Sequence, residues 1–223
     1  MAVKVPPSAP PPAYTWTGFY AGLNAGYAWG WTTVVDEFAT NNLCWSSCGG
    51  WDAKTKGFTG GGQIGYNLQS GQMLIGLEAE VGYLGLRGSG NYSLLPTTVV
   101  NTKGREFTTV RGRLGAILPS NLLVYVTDGY FGADFDSTIA TLGGAPVSLF
   151  NVSNTGFQSG WTAGVGAEIP LMNRWSVKAE YLYYEVGGTQ VDGNFTGGGA
   201  TVQFFKINSG GGLACLGLNY HFN

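Results

Sequence analysis

The stretch Tyr14–Trp31 constrains the fold more than any other part of the chain. From Thr17 one parity reads Thr17, Phe19, Ala21, Leu23, Ala25, Tyr27, Trp29, Trp31, and the other reads Gly18, Tyr20, Gly22, Asn24, Gly26, Ala28, Gly30. Side chains that alternate with period two point to opposite faces of a strand. One face is apolar and ends in aromatics; the other is small or polar. Strands in soluble sheets usually run about five or six residues, whereas a tilted strand needs about 9–11 to cross a bilayer. The pattern predicts the first strand of a transmembrane barrel.

Composition fits that class. Only 11% of the 223 residues are charged, while Gly numbers 38 and aromatics make up 14%. A transmembrane helix needs about 18 or more consecutive apolar residues, and no such run exists. A barrel instead spreads its lipid face over alternate positions. The net charge of −2 and the lack of a basic stripe give no reason to expect a nucleic-acid partner.

The alternation recurs over 57–69, 72–87, 105–118, 122–135, 159–169 and 175–187. A last strand, starting somewhere in 200–212, ends in Leu216, Leu218, Tyr220 and Phe222. The reading is all-β: an eight-stranded antiparallel up-and-down transmembrane β-barrel over 14–223, with both termini periplasmic. Turns join strands two and three, four and five, and six and seven. The segments 32–56, 88–104, 136–158 and 188–208 are expected to be long loops, facing outward as in outer-membrane barrels. Pro-rich residues 5–12 cannot supply a sheet's hydrogen bonds, so 1–13 is expected to form an extended periplasmic tail. Met1 is not followed by the apolar stretch of a signal peptide. Export to the outer membrane requires one, so a leader is expected to have been removed.

Apolar residues are assigned to lipid because Gly dominates the polar parity, which suits a crowded interior. A soluble lipocalin-like ligand-binding barrel would invert the assignment. Aromatics gather at strand ends, as interfacial girdles do. Trp16, Phe19, Trp175, Tyr220 and Phe222 are expected in the periplasmic belt. Trp29, Phe58, Tyr83, Phe135, Trp161 and Tyr183 are expected in the outer one.

Tyr14–Trp31, Val110–Gly115, Trp175–Tyr184 and Gly217–Phe222 together resemble the porin-family outer-membrane immunogenic proteins of alphaproteobacteria, small barrels related to the membrane domain of OmpA. The similarity spans the chain from Tyr14. Asp128 stands where a glycine is expected, and Asn223 follows Phe222 although the family usually ends on the aromatic residue. The resemblance implies a surface antigen of the bacterial outer membrane with structural or porin-like roles.

Few constellations point to chemistry. Gly60-Gly61-Gly62-Gln63-Ile64-Gly65 satisfies G-x-G-x-x-G, but a dinucleotide site needs that motif between a strand and a helix. His221 is the only histidine and sits at a strand end, which disfavours a Ser-His-Asp site. Glu78 and Glu80 share a face and could act as an acid/base pair, yet Arg111 and Arg113 on the adjacent strand make them more simply counter-ions. Cys44 and Cys48 are expected to close a small disulfide ring worth about 2 kcal/mol by loop entropy. A metal site is the rival there, but its one histidine would lie at the far end of the barrel. Cys215 is left over as a reduced residue of the last strand. No cofactor is expected.

Alternation sends Glu78, Glu80, Arg111, Arg113, Asp128, Glu168, Lys178 and Glu180 into the lumen, where an eight-stranded barrel has room only for its own side chains. The expected function is non-enzymatic: a structural or antigenic outer-membrane barrel with at most a small pore. An open general-diffusion porin is the alternative. Expected partners are outer-membrane lipid and lipopolysaccharide, host or surface ligands at the loops, and the outer-membrane insertion machinery. That machinery would read Leu216, Leu218, Tyr220 and Phe222, unless these are ordinary lipid-facing positions.

Overall fold

The structure, a computed structural model, describes residues 14–36, 51–92, 95–141, 151–172, 174–194 and 202–222. Nine strand segments follow in order: β1 (Gly18–Asp36), β2 (Trp51–Ser70), β3 (Met73–Leu84), β4 (Arg87–Tyr92), β5 (Leu95–Ile117), β6 (Leu123–Thr141), β7 (Asn151–Pro170), β8 (Trp175–Asn194) and β9 (Val202–His221). β3 and β4 continue one another past Gly85 and Leu86, and both pair with β2 and β5. The barrel therefore has eight antiparallel staves. β1 closes the sheet: Tyr20 lies opposite Gly65 of β2 on one side and His221 of β9 on the other.

At one end the staves are joined by tight turns. Gly71 (φ 62°), Asn121 (φ 59°) and Arg174 (φ 74°) take left-handed conformations there, and the Asn121 N–H donates to the Leu118 carbonyl at 2.9 Å. We call this the turn end; the opposite end carries the long hairpins. The strands run further towards the hairpin end than the alternation predicted. Most of 88–104, 136–158 and 188–208, and both ends of 32–56, are paired strand, leaving 37–50, 93–94, 142–150 and 195–201 outside the described strands. Beyond the bilayer a strand has no lipid face to keep apolar, so the alternation fades while backbone pairing continues.

The exterior is apolar. Leu23 is 71% exposed and Phe58 78%, with Ile64, Leu77, Val110, Val165 and Leu216 also outward. This orientation rules out the lipocalin-like arrangement. Phe19, Trp175 and Phe222 face out at the turn end, and Trp29, Phe58, Tyr83 and Trp161 face out towards the hairpins, as expected. Tyr220 is half-buried between Trp175 and Phe222, and Tyr183 lies between Trp31 and Trp161.

Three expected positions are corrected. Trp16 is fully buried, not in a girdle. Trp16 shares the even parity of Tyr20 and Asn24, which face the lumen, so the alternation itself sends it inward, and the girdle assignment followed its aromatic character rather than its parity. The Trp16 N–H donates to Gln69 Oε1 at 2.9 Å. Phe135 points into the lumen, and Asp128 points out towards lipid, between Gly112 and Ala163 of the neighbouring strands. Both errors come from β6, whose two parities are each largely apolar. Its face is decided by its neighbours: Arg111 of β5 and Glu168 of β7 face inward, and the register with them sends Tyr125, Thr127 and Phe131 inward too.

The GxGxxG glycines lie within β2, so no dinucleotide cradle forms. The Cys44–Cys48 pair, the tail 1–13 and Asn223 lie outside the described residues. Cys215 carries a free thiol on the lumenal side of β9.

Candidate functional site

The lumen is filled in three layers. At the turn end Trp16, Leu74, Ile117, Leu123 and Tyr125 form an apolar cluster, with Tyr14 packed against it. Towards the hairpins a larger cluster includes Leu84, Phe107, Phe131, Phe135, Tyr184 and Leu213. Phe131 stacks on Tyr184 with ring centroids 4.6 Å apart. Between them lies a layer of charge.

Seven of the eight predicted lumenal charges meet there, all but Asp128. Arg111 and Arg113 of β5, Lys178 of β8, Glu78 of β3 and Glu168 of β7 are at most 2% exposed. Arg111 Nη2 donates to Glu78 Oε1 at 2.6 Å and to Glu80 Oε2 at 2.8 Å, while its Nη1 donates to Glu180 Oε2 at 2.9 Å. Lys178 Nζ donates to both Glu78 oxygens, at 3.0 and 3.1 Å. Arg113 Nη2 donates to Glu168 Oε2 at 2.9 Å, and its guanidinium lies 4.0 Å over the Tyr125 ring. With Asp128 outside, four carboxylates face three cations, so the lumenal balance is −1 where the eight residues assigned from the sequence would have given −2.

Neutral side chains complete the layer. The Tyr20 hydroxyl donates to Glu78 Oε2 at 2.8 Å and accepts from Arg113 Nη1 at 2.6 Å. Asn24 Nδ2 donates to Glu80 and Gln63, Gln63 Nε2 to Asn219, and Asn219 Nδ2 to Glu168 Oε1. The result is a closed ring of side-chain hydrogen bonds: Glu78, Arg111, Glu80, Asn24, Gln63, Asn219, Glu168, Arg113, Tyr20 and back to Glu78. Tyr20, Asn24, Gln63, Tyr125 and Asn219 were not singled out from the sequence. Asn24, Gln63 and Tyr20 lie on the polar parity, which is the signal that could have found them. Tyr125 shares the parity of Phe135, which the sequence placed in the outer girdle, so the same apolar ambiguity of β6 hid it.

Burial gives these contacts their weight. A charge taken out of water is tolerated only when paired and hydrogen-bonded on its remaining atoms. Glu78, Glu80 and Glu180 bring carboxylate oxygens within 4.8 Å of one another, and Arg111 donates to all three, so the acidic triplet seats a guanidinium. Glu78 and Glu80 are therefore counter-ions, not an acid/base pair. At the turn end Ser176 Oγ lies 2.9 Å from His221 Nε2. Glu168 approaches that same nitrogen at 3.5 Å and also accepts from Ser176. A nucleophile relay needs the acid on the other ring nitrogen, and here His221 Nδ1 has no partner among the described residues.

An apolar outer wall around a charge-filled, side-chain-packed interior is the build of a transmembrane β-barrel that crosses by strands. The chain belongs to the outer membrane protein β-barrel domain family, whose model matches residues 1–204. It is 34% identical to the 31 kDa outer-membrane immunogenic protein of Brucella melitensis, covering 98% of this chain and 89% of that one. It is 30% identical to a 22 kDa outer membrane protein of Rhizobium leguminosarum, over 84% and 74% of the two chains. It is 27% identical to the 25 kDa outer-membrane immunogenic protein of Brucella abortus, over 81% and 70%. In fold it is similar to OprG of Pseudomonas aeruginosa (TM-score 0.55, 12% identity, 92% of this chain and 97% of that one). The protein is an outer-membrane β-barrel.

Proposed function

We propose that the protein is a closed, non-enzymatic barrel that carries its long hairpins on the cell surface and passes little solute through its own lumen. The observation behind this reading is the hydrogen-bonded ring around Arg111 and Arg113, sealed by an apolar layer on each side. Opening a path would separate buried ion pairs and leave charges uncompensated. The non-enzymatic reading is supported by the ring, which spends its carboxylates on cations, and by the misplaced acid at His221.

Tight turns at one end and long hairpins at the other support an orientation with the turns in the periplasm. A surface role is in keeping with the Brucella relatives, which are named immunogenic. The outward stripe Leu216, Leu218, Tyr220 and Phe222 at the end of β9 supports a role as the signal read by the insertion machinery.

Planar-bilayer recording of the purified monomer tests the closed lumen. Small or rare events are expected; large, steady conductance proportional to salt would establish an open general-diffusion porin instead. Protease on intact cells tests orientation. Cleavage only at 70–71, 119–121 or 170–174 would invert it.

A further inference from the structure

Three of the chain's eleven Lys and Arg residues are in the lumen, and five of the others are drawn to one flank of the outer wall by strand register. Lys56 of β2 lies opposite Arg87 of β4, and Arg87 lies opposite Lys103 of β5. Lys54 follows two residues further along β2, on the same face, and Arg105 stands at the margin, 3.8 Å from Asp136. All five are exposed, and Lys54, Lys56, Arg87 and Lys103 make no ion pair with another described residue. Lys103 also lies opposite Asp136 of β6, so the row has one carboxylate at its β6 end, shared with Arg105. Lys56 and Arg87 face each other across the sheet, where like charges repel, and that pair is unfavourable until an anion joins it.

The height of the patch names the class of anion. Lys56 is paired with Trp29 and lies two residues beyond Phe58, at the hairpin-side aromatic girdle. Girdles mark the head-group level of the bilayer, and lysine and arginine stems reach polar head groups while lying along apolar surface. The flank formed by β6 to β8 carries the opposite sign at a similar level, with Asp134 and Glu185, while Glu106 of β5, opposite Tyr83 of β3, borders the basic row on the turn side. A multiply anionic head group would thus be held on one side of the barrel only. A zwitterionic phospholipid offers a phosphate already offset by its own ammonium.

We propose that Lys54, Lys56, Arg87 and Lys103 form a seat for the phosphate-bearing end of an outer-leaflet glycolipid, the lipid A region of lipopolysaccharide. The proposal rests on the outward orientation of the hairpins given above. A basic side chain near an anionic lipid surface contributes about a fivefold gain in binding, so removing three reads as roughly a hundredfold loss.

The test uses the full chain refolded in neutral detergent micelles, with deep-rough lipopolysaccharide as probe and native mass spectrometry as readout. Wild type is expected to retain the glycolipid. The triple variant Lys56→Ala/Arg87→Ala/Lys103→Ala is expected to lose it, while Arg174→Ala at the turn end and the charge-conserving Lys56→Arg/Arg87→Lys/Lys103→Arg keep it. Dephosphorylated lipopolysaccharide should bind wild type more weakly. Unchanged binding by the triple alanine variant, equal binding of the dephosphorylated probe, or a preference for a heparin fragment over lipopolysaccharide would overturn the seat. A gel shift between unheated and boiled samples establishes that each variant is folded. The micelle assay is blind to orientation and conductance, so failure here is distinct from failure of protease accessibility or of the closed lumen.

Discussion

Gly65 lies directly beneath the ring of Tyr20: a Cβ at position 65 would come within 2.3 Å of the Tyr20 Cζ and hydroxyl oxygen. The two residues are cross-strand partners of β1 and β2. The missing side chain is what lets Tyr20 lie flat against the wall and reach Glu78 and Arg113. Gly166 does the same for Tyr125, whose hydroxyl then donates to Glu180 at 2.9 Å.

Gly65→Ala should therefore destabilise the barrel by about 1–3 kcal/mol, the usual range for overfilling a packed interior. Gly62→Ala, on the outer wall with its nearest neighbour at 3.8 Å, should be neutral or slightly stabilising. Urea unfolding in phospholipid vesicles separates the two. Equal effects would mean that Tyr20 does not depend on the space at Gly65.

Arg111 holds three carboxylates. Arg111→Ala should cost about 3–5 kcal/mol because it leaves buried charge uncompensated, whereas Lys103→Ala should change stability little in vesicles free of lipopolysaccharide. The same unfolding assay reads both. A loss of less than about 1 kcal/mol for Arg111→Ala would show that water, not the guanidinium, carries the layer, since exposed pairs fall in that range.

Asp128 faces lipid with no hydrogen bond or ion pair to another described residue. Acidic side chains on the lipid face are unfavourable by a depth-dependent amount smaller than that for Arg or Lys, so Asp128→Val should stabilise by about 1 kcal/mol. Destabilisation on the same scale would place Asp128 inside the network, as its parity in the sequence implied.

Phe222 is outward at the end of β9, its N–H donating to the Phe19 carbonyl at 2.9 Å. If the terminal aromatic is the assembly signal, Phe222→Ala should lower outer-membrane yield more than Leu218→Ala, and deletion of Asn223 should not. Equal yields for the two alanine variants would make Phe222 an ordinary lipid-facing residue.

The alternation in Tyr14–Trp31 and its recurrences determined the class, the number of staves and the tight turns, because lipid on one side and a narrow lumen on the other impose period two on any strand that crosses. It also placed seven of the eight lumenal charges, since Glu, Arg and Lys among apolar neighbours have only one face that tolerates them. Where the lumen itself is apolar, hydrophobicity no longer distinguishes inside from outside. That is why Phe135 and Asp128 were exchanged between faces on β6, and why only its register against β5 and β7 decides them. Trp16 lies inside because it keeps the parity of Tyr20 and Asn24, a face on which a large aromatic is held by the apolar cluster at the barrel mouth. The ring from Glu78 through Asn24, Gln63 and Asn219, and the basic row of Lys56, Arg87 and Lys103, join residues far apart in the chain. Their contacts are set by barrel closure and strand stagger, which are properties of the whole sheet and are written in no local stretch of sequence.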